Sequence, residues 1–264
     1  MPEPVFTYWE GRAMPYINQV CVSSVHRLFR TRHRHLDPKE LAALGIEIPR
    51  HIRRAPSRFV KYDYIRAALL HQFGGWWFDC DILLFKNPTP EVEGVNGKIW
   101  KAYPLPPTPC SSFGFERVGG KWLPLLEVGV LNARRPRSEW FRRVLEKCQR
   151  KQKPSYREAV ADLISQAAYE VNADGKEPVA LGTSSAFYRS TEYWWDWVGL
   201  SCFNPQDPHQ YGLSLYTYSI RQGGCFGIKD PYRLSKRIRG LKGPSEVLRD
   251  FPDSVLALYL QQYC

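Results

Sequence analysis

The spacing of apolar residues along this chain predicts strands that alternate with helices. Apolar residues recur every three or four positions, the helical period, in five segments: residues 15–29, 57–73, 138–150, 156–171 and 244–260. A shorter helix is expected after Asp37-Pro38. Apolar runs typical of strands fall between the helices: residues 5–9, 46–48, 74–85, 98–103, 113–117, 125–133 and 179–184. This alternation predicts an α/β fold with a mixed central sheet flanked by helices.

The stretch with most chemical content is residues 74–85, GGWWFDCDILLF. It is expected to be a buried strand interrupted by Asp79 and Asp81, which would point the same way on an extended chain. Two neighbouring buried carboxylates need a positive charge between them, and a divalent cation such as Mg²⁺ or Mn²⁺ suits them. The alternative is a strand that ends at Phe78, followed by a solvated turn. The apolar run that resumes at Ile82 favours the first interpretation.

The segment before this stretch is predicted to be a helix over residues 57–73, with Ser57 as its N-cap and Gly74 ending it. Asp63 and Arg66 lie three positions apart and share one side of that helix. The simple interpretation is a surface ion pair. The order of helix, Gly-Gly, strand and carboxylate pair instead places both side chains near the ligand end of the strand.

Taken together, these residues resemble a known family. The pattern Asp-x-x-Arg, Leu, then Gly-Gly-x-aromatic-x-Asp-x-Asp is similar to the sugar-binding DXD glycosyltransferases of family 32. That group includes initiating mannosyltransferases, capsular polysaccharide transferases and, more distantly, clostridial glucosylating toxins. The matching positions are Asp63, Arg66, Leu70, Gly74, Gly75, Trp77, Asp79 and Asp81.

The resemblance implies one Rossmann-like domain of the A-type glycosyltransferase fold, with a nucleotide-sugar half at residues 1–135 and an acceptor half at 136–264. It implies a hexosyltransferase that uses a UDP- or GDP-sugar and retains the anomeric configuration, with a glycan, glycolipid or protein acceptor, as in polysaccharide biosynthesis. Asp79 and Asp81 would hold Mn²⁺ or Mg²⁺. Asp63 would bind sugar hydroxyls, and Arg66 would add a fixed positive charge.

Other positions resemble the family less closely. Trp9 and Gly11 match an opening strand whose aromatic residue lies against the nucleotide base, although Trp9 also fits a core residue. Asn132 is a candidate sugar contact, although it also suits a turn. The family's C-terminal element has no clean equivalent here, so His209 and Ser219 are only candidates and the third metal ligand stays open. The aromatic residues 193–197 suit a sugar-site wall or a hydrophobic cap.

Charge leaves other function classes open. The chain carries a formal net charge of +11, with arginine-rich blocks at residues 27–58 and 134–153. Such blocks bind nucleic acid, lie on an anionic membrane or form a solvated face. A basic nucleic-acid-binding protein and a metal-dependent nuclease are therefore alternatives, as is a protein that binds a sugar nucleotide without turnover. A nuclease needs further carboxylates or a histidine base near the pair, and none stands out in the sequence.

The cysteines and the hydropathy bear on location. Seven scattered cysteines without a C-x-x-C pair indicate free thiols in a reducing compartment rather than a zinc site. The sequence has no run of eighteen apolar residues, and its first residues do not resemble a signal peptide. We therefore expect a cytoplasmic protein, with peripheral contact to the inner face of a membrane through its basic surface.

Overall fold

The computed structural model describes residues 2–11, 13–56, 58–101, 115–118, 121–124, 126–150, 160–183, 186–187, 207–215, 237–238, 240–252 and 254–263. The chain forms two compact units. The first comprises Met1–Glu10, Thr31–Asp79 and Pro88–Ser184, and the second comprises Gly11–Arg30, Cys80–Asn87 and Ser185–Cys264. The chain passes from the first to the second between Asp79 and Cys80. The division into donor and acceptor halves at residue 135 stays a prediction.

The first unit contains a six-stranded mixed sheet. Its strands, in spatial order, are β2 (His33–Leu36), β1 (Val5–Tyr8), β3 (Gly75–Phe78), β8 (Leu126–Ala133), β5 (Gly97–Lys101) and β9 (Ala180–Gly182). Strand β8 runs antiparallel to both of its neighbours, and the other pairs are parallel. A separate antiparallel pair comprises β6 (Phe115–Val118) and β7 (Lys121–Pro124). The predicted α/β class with a mixed central sheet is confirmed.

Helices of the first unit supply most of its core. They are α2 (Pro38–Ala43), α3 (Arg50–Arg53), α4 (Arg58–Phe73), α5 (Glu139–Arg150) and α6 (Val160–Asp174). One buried cluster joins α4, α5 and α6 with sheet residues that include Phe6, Trp77 and Leu131. Burial of each such side chain contributes about 1.5–3 kcal/mol. The alternate residues Trp76 and Phe78 belong to the other face and stack with ring centroids 5.5 Å apart.

The Gly-Gly pair before β3 has a steric role. Gly74 and Gly75 have φ values of +65° and +89°, in the left-handed region that glycine tolerates. A Cβ atom at Gly75 would lie 2.0 Å from the carbonyl oxygen of Pro4, and one at Gly74 would lie 2.8 Å from the carbonyl carbon of Arg135. The two glycines therefore let the chain turn from α4 into β3 while it passes close to neighbouring backbone.

The second unit has its own hydrophobic core. Its elements are α1 (Tyr16–Phe29), β4 (Ile82–Leu84), β10 (Gly212–Ser214), α7 (Pro244–Asp250) and α8 (Val255–Tyr263). Strands β4 and β10 form an antiparallel pair. Their apolar side chains pack with those of the helices in one buried cluster that includes Ile17, Leu83, Leu213, Val247 and Leu256. Among the described helices of both units, none is long and apolar enough to cross a membrane.

Several sequence expectations differ from the structure. Residues 74–85 are not one strand, because β3 and β4 belong to different sheets. The expected strand at 46–48 is absent. The helix expected over 244–260 is two helices, since Phe251 and Pro252 interrupt it. Strand β2 was not predicted from the sequence. The ring nitrogens of its His33 and His35 lie 2.9 and 2.8 Å from Thr7 Oγ1. The proposed N-cap, Ser57, lies outside the described residues.

Candidate functional site

Arg66 is the centre of a charged cluster in the first unit. It lies in α4 and is almost completely buried. Its Nη2 atom lies 3.0 Å from Asp63 Oδ1 and 3.2 Å from Asp79 Oδ1. Its Nη1 atom donates a hydrogen bond to the carbonyl of Val128, and its guanidinium carbon lies 5.3 Å from the centre of the Trp77 ring. One guanidinium therefore joins α4, β8 and the end of β3.

Asp79 follows the last residue of β3 and is held in place by several contacts. The indole N–H of Trp77 donates to its Oδ1 atom over 2.7 Å, and its own backbone N–H donates to the carbonyl of Gly129, also over 2.7 Å. Its side chain is nevertheless 32% exposed. Within the described part of the chain, no hydrogen bond or ion pair reaches Oδ2. The carboxylate is thus oriented through Oδ1, and the partial exposure leaves Oδ2 accessible to solvent.

The charges of this cluster explain how a carboxylate can end a buried strand. Asp63 is only 5% exposed, and burial of an uncompensated charge there would be very costly. The guanidinium of Arg66 neutralises one of the two carboxylates, so the cluster of Asp63, Arg66 and Asp79 carries a formal charge of −1. The sequence predicted a divalent cation as the charge that compensates the carboxylates. In the structure, an arginine supplies part of it, and the remaining charge favours a cation.

Asp81 belongs to the second unit and is not on an extended chain. Cys80 and Asp81 form a turn, so the expectation that the two carboxylates point the same way from one strand is wrong. The carbonyl of Asp81 accepts a hydrogen bond of 2.8 Å from the backbone N–H of Leu215. Burial raises the pKa of the Cys21 thiol, and the nearby charge of Asp81 raises it further. The side chain of Asp81 is partly exposed.

The carboxylate of Asp79 suits a hard divalent cation such as Mg²⁺. No group of three or more His, Cys, Asp or Glu side chains that could hold a metal occurs in the described ranges. A closed site of the kind that binds structural zinc is therefore not formed by these residues. Mg²⁺ needs fewer protein ligands, because it commonly binds through one or two carboxylates together with water and substrate phosphates. Asp79 supplies one such carboxylate in the first unit. A second carboxylate from Asp81 stays a prediction.

A second polar cluster was not anticipated from the sequence. Glu10 follows the end of β1, and its carboxylate pairs with the ammonium group of Lys61 and accepts a 2.9 Å hydrogen bond from the hydroxyl of Tyr8. Burial opposes ionisation of Glu10, but these two hydrogen bonds outweigh it and hold the pKa of the carboxyl below its ordinary value. Strands β1 and β3 are parallel, so Glu10 and Asp79 follow the same edge of the sheet. The only sequence signal was the position of Glu10 after a predicted strand.

The structure describes Trp9, Gly11 and His209 among the other predicted site residues. Trp9 is partly buried, and its backbone N–H donates to the carbonyl of Leu36 over 3.0 Å. Gly11 belongs to the second unit and is exposed. His209 is exposed as well, and its backbone N–H donates to Asp207. Ser219 and the aromatic residues 193–197 lie outside the described residues.

Asn132 is fully buried towards the other end of β3. It pairs with Trp76 in the sheet, whereas Asp79 follows the last residue of that strand. Its Nδ2 atom donates to Glu3 over 3.1 Å and to the carbonyl of Gly75 over 3.2 Å. Its Oδ1 atom has no hydrogen-bond partner in the part of the chain that the structure describes. The pairing of β8 with β3 therefore places Asn132 three positions along the sheet from Asp79, and its role as a sugar contact stays a prediction.

Comparison with known proteins gives structural similarity only. No protein-family model and no curated protein matches the sequence. The chain is similar to the galactosyltransferase LgtC in complex with donor and acceptor sugar analogs, at 13% identity, a TM-score of 0.43 and coverage of 92% of this chain and 98% of that one. It is also similar to the glycosyltransferase GlyE of Streptococcus pneumoniae, at 12% identity, a TM-score of 0.42 and coverage of 95% and 63%.

A third similar structure is a glycosyltransferase involved in the glycosylation of the major capsid of PBCV-1, at 10% identity, a TM-score of 0.41 and coverage of 69% of this chain and 83% of that one. At such identities and TM-scores, the similarity assigns this chain to no family.

Proposed function

We propose that this chain is a metal-dependent glycosyltransferase of the A-type fold. It would move a hexose from a UDP- or GDP-sugar to a glycan, glycolipid or protein acceptor. The observation that carries the proposal is the cluster of Asp63, Arg66 and Asp79 at the carboxyl end of β3, in which the Oδ2 atom of the partly exposed Asp79 has no hydrogen bond or ion pair to a described residue. The DXD spacing in the sequence supports it. Retention of configuration rests on the family resemblance.

Each residue of the cluster has a distinct role in this proposal. Asp79 and Asp81 would hold the cation, which, when bound, stabilises the negative charge of the departing diphosphate as a Lewis acid. Arg66 adds a fixed positive charge in a low-dielectric setting, where it acts more strongly than in water. Asp63 orients Arg66 and, in the proposal, accepts hydrogen bonds from hydroxyls of the donor sugar. Trp9 would lie against the base, with Gly11 beside it.

The basic surface supports a peripheral contact with an anionic membrane on the cytoplasmic side. On α5, much of the positive charge is neutralised locally, because Arg142, Arg143 and Lys147 pair with carboxylates. The arginines around α3 differ. In the described ranges, the exposed Arg50, Arg53, Arg54 and Arg58 form no ion pair. An unneutralised group of this kind favours anionic lipid headgroups by about 1 kcal/mol per residue. Cosedimentation with vesicles that contain anionic lipid would measure this membrane binding.

The proposal is tested by screening UDP-, GDP- and CDP-sugars for thermal stabilisation and for release of the nucleoside diphosphate, with and without Mn²⁺. We expect one nucleotide class to raise the melting temperature only when Mn²⁺ is present. Asp81→Asn should abolish the release of nucleotide while its melting temperature without ligand stays unchanged. Glu93→Gln is the matched control, because Glu93 is an exposed carboxylate outside the proposed site.

Two outcomes would contradict the proposal. One is an Asp81→Asn enzyme that is as active as the wild type. The other is a protein that responds to no nucleotide sugar but binds duplex DNA with a steep dependence on salt, which would favour the nucleic-acid-binding alternative.

A further inference from the structure

Helix α1 contacts the chain segment that carries Asp81 through three polar side chains. The Nδ2 atom of Asn18 donates to the carbonyl of Cys80 over 3.0 Å. The hydroxyl of Ser24 accepts a hydrogen bond of 2.9 Å from the backbone N–H of Leu84. Arg27 donates to the carbonyls of Leu84 and Phe85 over 3.4 and 3.3 Å. All of these residues belong to the second unit.

Asn18 is distinct among these three residues because its partner lies in the peptide that precedes Asp81. The carbonyl of Cys80 and the nitrogen of Asp81 belong to one planar peptide. Fixing the carbonyl oxygen therefore also fixes the direction of the bond from the nitrogen to the Cα atom of Asp81. The carbonyl of Asp81 itself accepts from Leu215. The two peptides on either side of the Asp81 Cα are thus each held at their oxygen, which restrains both φ and ψ of that residue.

Burial makes the contact of Asn18 with Cys80 hard to replace. Asn18 is 5% exposed and Cys80 is 9% exposed, so water has little access to either group. An apolar side chain at position 18 would leave the Cys80 carbonyl without this donor. Rotation of this peptide towards another hydrogen-bond donor would then lower the free energy, and Asp81 would move with the peptide.

We propose that Asn18 is a positioning residue that sets the carboxylate of Asp81 in the direction needed to bind the divalent cation. This inference rests on the proposed function, because it assigns Asn18 a role in the same metal site. It extends that function to a residue on a different element, 62 positions from its partner, that no DXD motif includes. Residues that orient metal ligands typically change metal affinity about 10- to 100-fold when they are replaced.

The test compares Asn18→Leu with Ser24→Ala in a Mn²⁺ titration. Both changes remove a buried hydrogen bond between α1 and the segment 80–85, but only Asn18 contacts the peptide next to Asp81. Free Mn²⁺ is measured by its EPR signal in the presence of the nucleoside diphosphate that stabilises the wild type best, and unfolding is followed by urea titration. Asn18→Ser is the second variant and covers the case in which Asn18→Leu does not fold. Its hydroxyl is a donor but lies one bond closer to the backbone than the amide nitrogen of Asn18, so it weakens the contact with the Cys80 carbonyl.

We expect Asn18→Leu to need at least about tenfold more Mn²⁺ for half-saturation, with Asn18→Ser between it and the wild type. Ser24→Ala should bind Mn²⁺ as the wild type does, although it loses stability. Equal Mn²⁺ curves for Asn18→Leu, Ser24→Ala and the wild type would overturn the inference. If Asn18→Leu does not fold, an Asn18→Ser curve equal to that of the wild type would overturn it instead. A wild type that binds no Mn²⁺ would overturn the proposed function first, and the wild-type curve alone separates that failure from a failure of Asn18.

Discussion

The two carboxylates of the DXD motif are held in different ways. Asp79, in the first unit, is fixed through its side chain, which contacts the guanidinium of Arg66 and the indole N–H of Trp77. Asp81, in the second unit, is fixed through its main chain, because the carbonyl before it accepts from Asn18 and its own carbonyl accepts from Leu215. A single intervening residue, Cys80, separates the two kinds of support.

This difference indicates a division of roles. The orientation of a carboxylate that contacts a guanidinium is fixed before any ligand binds. The guanidinium also neutralises part of the negative charge of that carboxylate. When a carboxylate residue is held only through its backbone, its Cα position and backbone dihedral angles are fixed, but its side chain is less constrained than that of Asp79. We therefore expect substitutions near Asp79 to act strongly on stability. Substitutions that alter the backbone of Asp81 should mainly lower the affinity for the divalent cation.

The largest effect on stability is expected from removal of the arginine. Arg66→Met leaves the buried Asp63 without its guanidinium, and breaking a buried ion pair in this way typically costs about 3–5 kcal/mol. The free energy of unfolding from urea titration measures it. Arg142→Met is the control, because that arginine is 46% exposed and pairs only on the surface, where the loss should stay below about 1 kcal/mol. Equal losses of stability in the two variants would contradict the claim that Arg66 stabilises the fold by neutralising a buried carboxylate.

The double variant sharpens this result. In Arg66→Met with Asp63→Asn, no buried carboxylate is left without its guanidinium at position 63. The double variant should therefore be more stable than Arg66→Met alone. If it is less stable, compensation of the Asp63 charge is not the main role of Arg66.

The next largest effect concerns the start of β3, which carries Asp79 at its other end. Gly75→Ala places a methyl group 2.0 Å from the carbonyl of Pro4 on a residue whose φ is +89°. Strain and overpacking together should cost about 3 kcal/mol. Gly94→Ala is the matched control, because its φ is +78° but no atom lies within 4 Å of the added methyl group. It should cost only about 1–2 kcal/mol of backbone strain. Equal urea midpoints for the two variants would show that the close approach to Pro4 is not limiting.

A smaller effect is expected in the second unit. Ser24→Ala removes the buried acceptor of the Leu84 N–H, which should cost about 1–3 kcal/mol of stability. The loss is read from the urea midpoint of the second unit's transition, or of the whole chain if unfolding is a single step. An unchanged midpoint would mean that α1 does not stabilise the segment 80–85 through this contact.

The smallest effect is the dependence of stability on pH through Glu10. The pKa of this carboxyl is lowered in the folded chain, so the unfolded chain binds its proton at a higher pH. Its contribution to stability is therefore complete well above the unfolded pKa of about 4.3 and is lost as the pH falls towards the folded value. The difference in melting temperature between the wild type and Glu10→Gln should be constant from pH 6 to pH 8 and shrink below about pH 4.5. A difference that grows on acidification would contradict the assigned sign.

Local sequence rules anticipated the parts of the fold that depend on near neighbours. The period of apolar residues placed α4 within a residue of its observed start, and Gly74 ended it as expected. Asp37 caps α2 with the expected geometry, because its side chain accepts from the backbone N–H groups of Lys39 and Glu40. The pair of Asp63 and Arg66 followed from their spacing on one helix.

The remaining features depend on contacts between distant residues. The break of residues 74–85 into two strands requires the pairing of β4 with β10, more than a hundred positions later. Glu10 meets Lys61 across 51 positions, and Asn18 meets Cys80 across 62. A period or a motif in one stretch carries no information about such partners. The order of helix and strand predicted Arg66 near Asp79, whereas the contact of Asn18 with Cys80 had no signal in the sequence.

The most direct test of the proposed site is the binding of Mn²⁺ by the wild type, by Asp79→Asn and by Asp81→Asn in the presence of UDP or GDP, measured by EPR. We expect a saturable loss of the free Mn²⁺ signal in the wild type and a large loss of affinity in both variants, with Asp81→Asn keeping the stability of the wild type. Saturable binding that is equal in all three proteins, or no binding in the wild type, would contradict the assignment of Asp79 and Asp81 as the residues that hold the cation.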